Sequence, residues 1–81
     1  MERIAAAGNI EPPIYHLLLE KGYKLELKNH RVIARKDNLE IIANSAVELA
    51  GIILLRESKG ENWKVSDEKI HEYLSFFENL K

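Results

Sequence analysis

The stretch that decides the fold is Lys24–Ala43, which reads KLELK, NH, RVIARK, DN, LEIIA. From Tyr23 onward the apolar residues Tyr23, Leu25 and Leu27 alternate with Lys24, Glu26 and Lys28. A period of two is the signature of a strand with one face in a core. The dipeptides Asn29-His30 and Asp37-Asn38 punctuate the runs, and both are residue types that suit two-residue hairpin loops.

If each dipeptide is such a loop, the register follows by counting, because side chains alternate strictly across a sheet. Leu27 then faces Val32, Leu25 faces Ala34, Ala34 faces Ile41 and Val32 faces Ala43. All of these fall on one side. Three separate segments thus agree on a single core face, and such agreement between local and global preference favours a three-stranded antiparallel meander.

Helices flank this sheet in the sequence. PPIYHLLLEKGY opens on Pro12 and Pro13, which a first helical turn tolerates because its N–H groups have no intrahelical partner. Gly22 suits the left-handed position just past the helix end, with Leu18 and Tyr23 as the hydrophobic pair of a Schellman ending. Ile14, Tyr15, Leu17 and Leu18 are expected to face inward.

After the sheet, Ser45 followed three residues later by Glu48 is a capping box, and Gly60 is a plausible stop. Between them Ala46–Leu55 is apolar nearly all round, as in a helix covered on most sides. Gly51 inside it suggests a close backbone approach. A last helix is expected from the Ser66 cap, with Asp67 and Glu68 in its first turn and Ile70, Tyr73, Leu74, Phe77 and Leu80 on one face.

The expected fold is therefore α+β, a single domain over residues 1–81 in the order α-β-β-β-α-α, with residues 1–11 loosely held. The chain has 46% hydrophobic and 31% charged residues, which fits a globular domain rather than a disordered or membrane-spanning chain. It has no cysteine, so disulfides and thiolate chemistry are excluded, and a cytoplasmic location is expected. A net charge of −1 gives no overall attraction to nucleic acid or anionic lipid, so any basic site must be local.

The register assigns Lys24, Glu26, Lys28, Arg31, Ile33, Arg35, Glu40 and Ile42 to the outer sheet face. Ile33 opposite Ile42 is an unusual pair for a face meant for water. Either the last helix covers the two isoleucines or, with Lys24, Arg31 and Arg35 as a polar rim, they form a candidate interface for a protein partner or for a homodimer. Lys21, Lys24, Lys28, His30, Arg31, Arg35 and Lys36 form a second candidate, a basic hairpin able to contact phosphates.

The α-β-β-β-α order from Ile14 to about Leu55, with His30 at the start of the second strand, resembles the HicA family of RNA-cleaving toxins. More broadly it resembles the double-stranded RNA-binding domain. That likeness implies RNA as ligand and His30 as a candidate RNase residue. The histidine of that toxin family follows Gly-Ser, whereas here it follows Lys28-Asn29, and SAVELAG stands where the RNA-binding domain has a lysine-rich helix start.

Other chemistry finds no spaced motif. His16 and His71 sit one to a helix without a second ligand at metal spacing, and the carboxylates are scattered, so neither a metal site nor an acid and base pair is implied. No phosphate-binding glycine loop is present, so no cofactor is implied, and enzyme activity has no positive support. Trp63, the single tryptophan, lies in GENWKVSDE between two helices. It is expected to act as a structural clasp over that joint, resting on Leu55 or Leu74. The expected role is a small binding or regulatory module.

Overall fold

A computed structural model describes residues 1–78. A 3-10 turn at Gly8–Ile10 leads into helix α1 (Glu11–Glu20), strands β1 (Lys24–Lys28), β2 (Arg31–Lys36) and β3 (Leu39–Ala43), and helices α2 (Ala46–Lys59) and α3 (Asp67–Glu78). The order is α-β-β-β-α-α, and the strands form one antiparallel sheet in the order β1-β2-β3. Regular structure thus begins at Gly8, inside the segment expected to be loose.

The register follows the hairpin count. Leu25 pairs with Ala34, Leu27 with Val32, Ala34 with Ile41 and Val32 with Ala43. At the first loop Asn29 and His30 adopt φ of 52° and 64°, so both central residues are left-handed, as in a type I′ turn whose twist matches that of the strands. Asp37 takes φ of 53° in the second loop.

The end of α1 is a Schellman motif. The Tyr23 N–H donates to the Leu18 carbonyl at 3.1 Å and the Gly22 N–H to the Leu19 carbonyl at 3.0 Å, with Gly22 at φ 97°. Leu18 and Tyr23 are both buried. The Lys36 ammonium, reaching from β2, donates to the Lys21 carbonyl at 2.7 Å and lies 5.3 Å from the Tyr23 ring centroid. A cation thereby meets the negative end of a helix that has no basic residue in its last turn.

At the start of α2 the Glu48 N–H donates to Ser45 Oγ at 3.1 Å. The reciprocal bond of the box is shifted by one residue, because Glu48 Oε1 accepts from the Asn44 N–H at 3.1 Å. The helix stops at Gly60, whose φ is 63°.

The core lies between one face of the sheet and the helices α1 and α2. Leu18, Tyr23, Ala34, Ile41, Ala43, Leu49 and Ile53 form it, with Ile14, Leu25, Val32 and Leu39 packed against it. Lys21 and Glu57 tie the far ends of α1 and α2 together at 3.2 Å.

Several expectations of burial do not hold. Leu27 is 76% exposed although it points to the core side, because the tip of the first hairpin extends past the helices that cover the sheet. Tyr15 and Leu17 are also exposed, so α1 buries a narrower stripe than its apolar content suggests. In α2 only Leu49 and Ile53 are buried, four residues apart on one line of the helix, while Ile52, Leu54 and Leu55 stay exposed. A Cβ added at Gly51 would meet no atom within 4 Å, so no close backbone approach explains that glycine.

Candidate interaction surface

On the outer sheet face Ile33 pairs with Ile42 and Arg35 with Glu40, as the register requires. Arg35 Nε donates to Glu40 at 2.7 Å and its Nη1 donates to Glu26 at 2.7 Å. One guanidinium thus spans all three strands and passes beside Ile33. Donation to Glu26 and then to Glu40 holds the arginine above its ordinary pKa. Such exposed pairs fix geometry more than they add stability.

Ile33 is only 8% exposed, so it offers a partner little area, whereas Ile42 is half exposed. Lys24 and Arg31 lie on this face as expected, both exposed. Of the basic hairpin set, Lys21, Arg35 and Lys36 are engaged within the molecule by Glu57, by Glu26 with Glu40, and by the Lys21 carbonyl. Lys28, His30 and Arg31 are exposed at the hairpin tip, and Lys24 is exposed at the far end of β1, opposite Arg35.

A further exposed apolar surface lies elsewhere, on a segment whose periodicity is legible in the sequence but whose exposure is not. No residue of α3 is buried. Ile70, Tyr73, Leu74, Phe76 and Phe77 expose between 43% and 62% of their surface. The Phe77 ring meets both Tyr73 and Phe76, with centroids 4.9 Å apart for Tyr73 and Phe77 and 5.0 Å for Phe76 and Phe77. The helix start is well formed, since the Lys69 N–H donates to Ser66 Oγ at 3.3 Å. Leu80, expected on the same face, lies outside the described residues.

Trp63 is 44% exposed. It lines a groove of about 350 Å³ along the β3 edge, with Leu39 and Ile42 from the strand and Ile52 and Leu55 from α2. Of its two expected supports, Leu55 is beside it in that groove and Leu74 is not among the lining residues. The Lys64 ammonium lies 5.8 Å from its ring centroid. A second, more open cleft of about 620 Å³ lies at the hairpin end, with Tyr15, Leu25, Leu27 and Val32 on its walls.

Among the described residues no group of three or more His, Asp or Glu side chains is placed to hold a metal, and no helix is long and apolar enough to cross a membrane. No protein-family model, no curated protein and no solved structure matches this chain.

Proposed function

We propose that this domain is a protein-binding module whose contact surface is its C-terminal apolar region: α3, Trp63 and the adjoining β3 groove. The observation that carries this reading is that α3 is amphipathic by sequence and yet buries none of its apolar residues. An isolated helix of ~12 residues is marginal in water, because the cost of nucleation is recovered over too few hydrogen bonds. Helices of this length gain their stability from packing an apolar face. An exposed aromatic and aliphatic stripe and a groove that holds a half-exposed tryptophan each have the composition of an interface centre.

The outer sheet face supports the reading less, since Ile33 is covered and Arg35 is held by two carboxylates. Its Ile42 still belongs to the contact region, because it also lines the β3 groove. The test is a comparative capture from the protein's own cells, with added tagged chain as bait, counting further copies of the chain among the proteins recovered. Leu74→Glu is expected to abolish specific capture, while Arg31→Ser on the outer sheet face leaves it intact. Capture unchanged by Leu74→Glu refutes the assignment.

A further inference from the structure

We infer that the occupant of this C-terminal surface is a second copy of the chain, with α3 of each protomer seated in the β3 groove of the other. The inference rests on the reading of that region as a protein-contact surface and names its partner. Three observations support a self-complementary contact.

The first is area. The chain exposes 7164 Å², whereas a compact monomer of this mass exposes about 5,000 Å². Its Cα radius of gyration is 15.1 Å, against about 12 Å for a compact chain of this length. The unpacked residues Met1–Ala7 account for part of the surplus. The rest of the surplus of about 2,000 Å² per protomer is what a contact could cover, and obligate dimers bury about 1,000–2,500 Å² on each partner.

The second is complementarity within one sequence. The stripe of Ile70, Tyr73, Leu74 and Phe77 is a convex apolar surface, and the groove of Leu39, Ile42, Ile52, Leu55 and Trp63 is a concave one. A two-fold axis lets each protomer present both, so two grooves and two stripes are covered at once.

The third is charge. Asp67, Glu68, Glu72 and Glu78 against Lys69 give α3 a net charge of −3. The receiving groove holds one acid, Glu40, and one base, Arg56, and so is neutral. Repulsion therefore opposes pairing of α3 with α3, whereas seating α3 in the groove meets no net like charge.

Sedimentation equilibrium of the full chain, read together with the emission of the single tryptophan, tests this. The expected result is a dimer whose Trp63 emission shifts to the blue as concentration rises. Leu74→Glu on the helix and Ile52→Glu in the groove should each weaken dimerisation by about thirtyfold or more. Both sites are exposed in the single chain, and a far-ultraviolet circular dichroism spectrum that keeps its strand and helix signal shows that each variant is folded. A dimer indifferent to both substitutions overturns the inference. A monomer at all concentrations, with Trp63 open to acrylamide quenching and α3 amides in fast exchange, overturns the second copy as partner and leaves the protein-contact reading standing. A monomer with Trp63 shielded and α3 protected means that the helix closes on its own chain, which overturns both.

Discussion

The segment Glu11–Lys59 and the segment Trp63–Glu78 are built from the same kinds of residue and end up in opposite environments. In the first, α1 and α2 place Leu18, Leu49 and Ile53 against Ala34, Ile41 and Ala43, and the helix ends are fixed by a Schellman motif and a capping box. In the second, α3 has an equally clear apolar period and a Ser66 cap, yet none of its residues is buried. Periodicity therefore establishes that a helix has an apolar face. It does not establish that the same chain covers it.

The contrast is sharpest when one change is made in both places. Leu49 is fully buried, and Leu49→Ala is expected to cost ~3 kcal/mol or more, since a cavity remains after the methyl groups are gone. Leu74→Ala, measured by denaturant unfolding at a concentration low enough to keep the chain monomeric, should cost well under ~1 kcal/mol. Equal losses at the two sites would mean that α3 is part of the monomer's core. A strong concentration dependence of the Leu74→Ala effect would instead tie the helix to association.

Gly22→Ala tests the boundary on which the well-packed region depends. The residue is held at φ 97°, where a Cβ is strained, and the Schellman bonds fix it there. A loss of ~1 kcal/mol or more in urea unfolding is expected, with no change in any property of the C-terminal region. A neutral result would show that α1 ends equally well in another conformation.

The effect expected at Gly51 is also small, and its sign is the point of interest. A methyl group there meets open space, so Gly51→Ala should raise the thermal midpoint, with a gain of at most ~1 kcal/mol from helix propensity. A loss instead would place a second surface against α2 at that position. That surface would then have to belong to a partner.

Much of the fold could be read from residue types because their signals were local. Asn29-His30 and Asp37-Asn38 set the loop lengths, the loop lengths set the register, and the register set which residues share a face. Ser45 with Glu48, and Gly22 between Leu18 and Tyr23, marked helix ends through hydrogen bonds that span only a few residues. The candidate surface was less legible. Ile33 and Ile42 were matched correctly as a cross-strand pair, but which of the two is open to a partner depends on neighbours such as Arg35, which crosses the sheet to Glu26 and Glu40.

What the sequence determined by itself is thus the set of elements, their order and the pairing of the strands, because turns, caps and alternation act over short separations. What only the tertiary structure decided is coverage. The hairpin tip overshoots the helices and leaves Leu27 exposed; Trp63 turns toward Leu55 and the β3 edge; α3 keeps its aromatic stripe unburied. Burial is a property of how distant segments meet, since apolar area leaves water only when another surface arrives to displace it. For α3 no element among the described residues supplies enough of that surface, and the second copy is inferred to supply it.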